Sequence, residues 1–205
     1  MDSIIKNSLE KSITYSAYVN LVKQMVENNS TTGPDKTEDL VNFTKLNEKR
    51  MKRWDKTIKI SEDSKNRIEA FEDKITWLLI TESWCGDAAH VVPAINKVAE
   101  LNDNITLRLV LRDENPELMD AFLTNGGRSI PKLIIIENAT GNVLNTYGPR
   151  PSEATNFVSR FKAKYGTLTP EFKEDLQHWY NKDKGQNVIS DLTEMLCELQ
   201  PTACQ

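Results

Sequence analysis

Apolar residues recur at helical spacing near the start of this chain. Tyr15, Tyr18, Val19, Val22, Met25 and Val26 form one stripe, the signature of a helix that buries one face. Asn28–Pro34 (NNSTTGP) is a breaker cluster that ends it. Thr37 is placed to cap a second helix, with Glu38 and Asp39 favourable to its N-terminal dipole. That helix carries Leu40, Phe43, Leu46 and Met51 and is expected to run to about Trp54. A third, short helix is expected after Ser61, including Ile68 and Phe71.

From residue 75 the period changes. Ile75–Thr81 is a short apolar run suited to a strand buried on both faces. Residues 85–101 return to helical spacing through Val91, Val92, Ile95, Val98 and Leu101. Ile105, Leu107, Leu109 and Leu111 alternate as one face of a strand. Asn115-Pro116 reads as a helix cap followed by a first-turn proline. Lys132–Glu137 is a further apolar strand, and after the turn Asn138–Asn142 the segment Val143–Tyr147 pairs back as a hairpin. Ser152 is expected to cap a helix to about Tyr165. The order β-α-β-α-β-β-α predicts an α/β sandwich. Beyond it, Thr169-Pro170-Glu171 opens a helix with Phe172, Leu176, Trp179 and Tyr180. A last helix carries Val188, Ile189, Leu192, Met195, Leu196 and Leu199 and stops at Pro201. The expected division is a helical extension over 1–74, a central domain over 75–165 and a helical extension over 166–205. Both extensions carry apolar stripes and are expected to pack on the central domain.

Composition adds limits. The 205 residues are 39% hydrophobic, enough for one substantial core. The net charge of −4 and the lack of a basic run argue against a nucleic-acid partner. No apolar run has the length of a membrane span, and MDSIIKNSLEKS holds no signal-peptide core. Three scattered cysteines do not form a secreted disulfide framework, so a cytoplasmic location is expected. Two histidines and three cysteines show no metal-ligand spacing, and no glycine-rich phosphate loop is present. Neither a metal nor a cofactor is expected.

The chemistry-bearing stretch is Trp84-Cys85-Gly86-Asp87-Ala88, set between a predicted strand and a predicted helix. Around it lie Pro93, Asp113-Glu114-Asn115-Pro116, Arg128-Ser129-Ile130-Pro131 and Gly148. Together these resemble the thioredoxin family over residues 75–165. Trp84-Cys85-Gly86 matches its redox loop, Pro93 the proline within the active-site helix, and Arg128 to Pro131 the segment with the cis-proline. The whole chain also resembles a group of thioredoxin family proteins common in Bacteroidetes, through Thr32-Gly33-Pro34, Leu46-Asn47 with Arg50-Met51, Trp84 to Ala88, and Gly126 to Leu133. The resemblance implies a thioredoxin-like fold, a central mixed sheet flanked by helices, with helical N- and C-terminal extensions.

The departures from the family bear on chemistry. Ala88 stands where the resolving cysteine belongs. Leu79 takes the place of the family's buried aspartate, and Leu109 that of the lysine that accompanies it. What remains is a single-thiol site. Cys85 at a helix N-terminus gains from unpaired N–H groups and the dipole; Asp87, two residues on, disfavours a thiolate. Arg128 offsets Asp87 if it reaches. Cys85 is the catalytic candidate, taken as an exposed reactive thiol. Trp84, Gly86, Asp87, Arg128, Ile130 and Pro131 are the substrate-binding candidates. The helical offset of about 140° turns His90 away from Cys85 and makes it a solvated surface residue. Cys197 is expected to be a buried small hydrophobe and Cys204 an incidental exposed thiol.

Two functions follow. The first is a monothiol oxidoreductase in which Cys85 exchanges with a protein disulfide or is capped by a low-molecular-weight thiol. The second is a non-redox binding module that uses the cis-proline loop as a groove for a protein segment. Burial of Cys85 by the terminal helices would weigh against redox turnover.

Overall fold

A computed structural model describes residues 2–204. Helix α1 (Ser3–Lys11) begins at Asp2, whose carboxylate accepts from the Ile4 amide. Helices α2 (Tyr15–Glu27), α3 (Glu38–Thr57) and α4 (Glu62–Glu69) follow, each with a Thr or Ser hydroxyl capping its first turn. The central segment runs β1 (Ile75–Thr81), α5 (Ala88–Ala99), β2 (Ile105–Leu111), α6 (Pro116–Ala121), β3 (Lys132–Glu137), β4 (Val143–Tyr147) and α7 (Ser152–Tyr165). Helices α8 (Pro170–Asp183) and α9 (Gln186–Leu199) and a 3-10 turn (Pro201–Cys204) complete the chain.

The strands form one mixed sheet in the order β2-β1-β3-β4. β1 pairs parallel with β2 and antiparallel with β3, which pairs antiparallel with β4. The two inner strands are the continuous apolar runs: Trp77 to Ile80 and Leu133 to Ile136 have no exposed surface. The outer strands are more open: Thr106 on β2 and Val143 and Leu144 on β4 are exposed. Ile13 caps the outer edge of β2 by exchanging both backbone hydrogen bonds with Leu109, each 2.8 Å. Leu79 and Leu109 lie opposite each other in the β1–β2 register, both inaccessible to solvent. The two positions where the thioredoxin pattern places a carboxylate and an amine are therefore one dry hydrocarbon contact.

Helix α5 is buried along nearly its whole length. Helices α3 and α9 both pack on it, and α9 also meets α4 and α7. Terminal and central helices contribute to one continuous core, with Tyr18, Val22, Trp54, Phe172 and Leu192 joined to the sheet residues.

Several expectations are corrected by this packing. On α3 the buried face is Val41, Thr44, Asn47, Met51 and Trp54, while Phe43 and Leu46 are 49% and 43% exposed. Thr44 and Asn47 turn inward because Ser83 offers both partners: its hydroxyl meets Thr44 Oγ1 at 2.9 Å and its carbonyl accepts from Asn47 Nδ2 at 2.9 Å. Satisfied polar groups thus displace an apolar stripe from the core face. α7 is capped by Pro151 rather than Ser152, whose hydroxyl instead donates to Asp191 at 2.6 Å. Cys197 and Cys204 are paired as a disulfide with Cα atoms 5.6 Å apart. Cys204 is therefore not a free thiol, and neither cysteine is available to resolve Cys85.

Candidate functional site

Residues 82–87 link β1 to α5 and are held from beneath by a buried polar cluster. Glu82, without exposed surface, accepts from the Asp113 amide at 2.9 Å and from the Thr32 hydroxyl. Burial raises its pKa, and those two donors oppose the rise. Thr31, Thr44 and Ser83 exchange hydroxyl contacts of 2.6 to 3.1 Å. The Thr32-Gly33-Pro34 loop thereby fixes the start of the Trp84–Asp87 loop. Gly33 has φ +80°, a conformation that favours glycine, and a Cβ there would lie 2.7 Å from Asp113 Oδ2 and push that carboxylate aside.

Cys85 follows at the entrance to α5. It is 8% exposed, and its thiol donates to the Ile130 carbonyl at 3.3 Å. Burial pushes the thiol up to about 12, and the neighbouring Asp87 carboxylate adds to the rise. The Ala88 and Asp87 amides and the Arg150 guanidinium act in the opposite direction without reversing it. The expectation of an exposed thiol is thus corrected: Cys85 is a buried, protonated hydrogen-bond donor.

Asp87 is the hub of a charged network. Its Oδ2 pairs with Arg150 Nη2 at 2.7 Å and its Oδ1 accepts from the Tyr180 hydroxyl at 2.9 Å. Burial raises the Asp87 carboxyl, and Arg150 and Tyr180 oppose that rise. Tyr180 stacks on His90, with ring centroids 4.4 Å apart and planes 3° from parallel. Trp54 Nε1–H donates to His90 Nδ1 at 2.9 Å, which makes Nδ1 the acceptor and Nε2 the protonated nitrogen, donating to Gln177 Oε1 at 2.9 Å. Burial lowers His90 to about 3. His90 is therefore a neutral buried tie between α3, α5 and α8, not a solvated surface residue. The helical offset does turn it away from Cys85, but toward α3 and α8 instead of solvent.

Arg128 does not reach Asp87. It forms a two-pronged ion pair with Asp120 on α6, at 2.6 and 2.5 Å. Arg150, in the turn between β4 and α7, supplies the cation that sequence reasoning assigned to Arg128. Its signal was faint: one arginine between Gly148-Pro149 and Pro151, in a segment whose path the strand and helix periods do not define. The Ile130–Pro131 bond is cis, as is Gly148–Pro149. Gly148 has φ +98°, and a Cβ there would meet the Pro131 carbonyl oxygen at 2.3 Å. Ile130 and Pro131 are both buried. The Ile130 carbonyl is the group that accepts from the Cys85 thiol.

A cleft of about 730 Å³ lies between α3 and α8. Trp84, Cys85, Gly86 and Asp87 line its base, Leu40, Phe43 and Arg50 the α3 wall, and Leu168, Leu176 and Gln177 part of the opposite one. Leu40 and Phe43 are the outward residues of α3 that the sequence pattern assigned to the core. The site thus brings together Trp84, Cys85, Gly86 and Asp87 from the candidate set, and leaves Arg128, Ile130 and Pro131 off the cleft wall. Among the described residues no group of three or more His, Cys, Asp or Glu side chains is arranged to hold a metal ion, and no helix is long and apolar enough to cross a membrane.

A mixed sheet with Trp-Cys-Gly at the end of its central strand defines a thioredoxin-like fold with one active-loop thiol. The family model described as Thioredoxin matches residues 33–165, and the chain belongs to that family. The match begins at Gly33 and so takes in α3 and α4. No curated protein sequence matches the chain. Among solved structures, a protein of unknown function, PA1234 from Pseudomonas aeruginosa, is similar with a TM-score of 0.65 and 15% identity, covering 93% of this chain and 94% of that one. An HIV epitope-scaffold is similar with a TM-score of 0.58 and 15% identity, covering 91% of this chain and 98% of that one. At this identity both likenesses concern the fold, including its terminal helices.

Proposed function

We propose that this thioredoxin family protein is a binding module: the cleft between α3 and α8 receives a ligand over the Trp84–Asp87 loop, and Cys85 serves as a neutral floor group. The observation that carries this reading is the Cys85 thiol itself, buried, donating to the Ile130 carbonyl and raised to about 12. A nucleophile for exchange must be a thiolate. At pH 8 a thiol with that pKa is ionised to roughly one part in ten thousand, against about a quarter for a free thiol. No second cysteine stands ready to resolve a mixed disulfide, since Cys197 and Cys204 are paired with each other. The groove differs from the one the sequence suggested in that Ile130 and Pro131 are buried and are not among the residues lining it.

Monothiol exchange or capping is the second reading. It is favoured by two observations: Cys85 borders the cleft, and the Asp87 and Ala88 amides both stabilise its sulfur. Alkylation by iodoacetamide, followed on the Cys85 peptide by mass spectrometry, separates the readings. The binding module predicts modification at pH 8 at least about 100-fold slower than for a model thiol. Modification at the rate of a free thiol, with a recoverable mixed disulfide, would establish the monothiol reading instead.

A further inference from the structure

Resting on the reading of the cleft as a ligand site, we propose that its ligand is an amphipathic carboxylate: an apolar chain laid along Leu40, Phe43 and Leu168, with its carboxylate on Arg50. The charge balance of the wall points there. Arg50 is partly buried and carries five N–H donors, of which one bond goes to Asn47 Oδ1 at 3.1 Å. Among the described residues, no carboxylate lies within ion-pair distance of it, unlike Arg67, Arg112, Arg128 and Arg150. Arg53, one turn further along α3, adds to the imbalance. It lies over the Trp54 ring at 4.2 Å and donates to Asn181 Oδ1 at 2.6 Å, again without a carboxylate. Burial and the repulsion of Arg53 both lower the Arg50 pKa, as expected for a cation with no partner.

The remaining charges of the wall do not fill this gap. Asp87 is committed to Arg150. Glu174 lines the cleft too, but its side chain is largely exposed to solvent and lies 3.8 Å from His178. Lys173 stands at the rim and adds positive charge. The planar fork of Arg50 matches one carboxylate through two parallel N–H···O bonds. A single negative charge suffices to complete that fork. The apolar part of the wall is Leu40, Phe43, Trp84, Leu168 and Leu176, beside the polar side chains of Gln177, His178 and Asn181. A volume of about 730 Å³ lies within the range of small-molecule sites.

The test is calorimetric titration of the full chain with decanoate and, as the uncharged probe, 1-decanol. Decanoate is expected to bind about tenfold or more tightly than decanol, the effect of a charge-assisted pair. Arg50→Gln should remove that advantage and leave decanol binding unchanged; Phe43→Ser should weaken both probes. Both side chains lie outside the buried core, so the variants are expected to fold, and circular dichroism verifies this. Equal affinity for the two probes, no decanoate binding, or full decanoate affinity in Arg50→Gln would overturn the proposal. The underlying reading fails separately, on free-thiol alkylation of Cys85, whatever the titrations give.

Discussion

A cysteine at a helix N-terminus ordinarily gains acidity, yet Cys85 loses it, and the magnitudes show why. A helix terminus contributes about 0.3–1 kcal/mol at an exposed site. A thiol held near 12 means that burial and the Asp87 carboxylate outweigh this contribution several-fold. The consequence is a pH-dependent stability. In the unfolded chain Cys85 loses its proton near pH 8.5, and in the fold only near 12. Its contribution is fully present below about pH 8.5 and falls as pH rises, by up to about 1.4 kcal/mol per pH unit. Between about pH 8.5 and 10, before unfolded tyrosines ionise, Cys85→Ser is expected to show a flatter urea-denaturation profile than wild type. Parallel profiles would contradict a raised thiol. His90 has the opposite sign. Its folded pKa of about 3 lies below the unfolded value near 6.5, so its contribution is present above about pH 6.5 and lost as pH falls toward 3. The stability difference between wild type and His90→Gln should shrink on acidification from pH 7 to 4.5, and a difference independent of pH would refute the neutral assignment.

The seam between α3 and α8 governs the site at the level of elements. The strand and helix periods made most elements legible: β1, β2, β3 and β4 occupy the spans that the apolar runs predicted. Two kinds of information were not legible. The first is which face of a helix turns inward when polar partners await it. Leu40, Phe43 and Leu46 formed the better apolar stripe, but Ser83 and the Thr31 hydroxyl made Thr44 and Asn47 the buried face. The second is long-range charge pairing. Arg128 and Arg150 are equally basic in sequence, and only the return of the chain beside α5 selects Arg150 for Asp87. The Asp87–Tyr180 bond joins α8 to the loop across 93 residues of sequence. Tyr180→Phe keeps the ring on His90 and removes that donor, leaving a buried carboxylate oxygen short of one bond. The expected loss is about 1–3 kcal/mol of unfolding free energy, read by urea denaturation. It should come with weaker decanoate binding, because α8 forms one wall of the cleft proposed to hold that probe. An unchanged midpoint would show that Arg150 alone holds Asp87.

For the molecule as a whole, the terminal helices are part of the hydrophobic core. Helix α9 buries Val188, Ile189, Leu192 and Leu196, and α8 buries Phe172, Leu176 and Tyr180. Their partners include α5, which runs from the candidate loop and is buried on nearly all sides. At roughly 1.5–3 kcal/mol for each fully buried large apolar side chain, the burial lost with both helices reaches the order of a typical domain's entire net stability of about 5–15 kcal/mol. Removal of residues 167–205 would also uncover α5 and leave Asp87 without the Tyr180 donor. A chain ending at Gly166 should therefore lack cooperative thermal unfolding and bind a dye for exposed apolar surface, even though it retains the whole span matched by the family. Cooperative unfolding of that shorter chain within a few degrees of the full-length midpoint would show that the central sheet and its own helices close a core without them. In that case α8 would be a cover over Cys85 rather than a structural wall, and the buried state of the thiol would depend on whether that cover is in place.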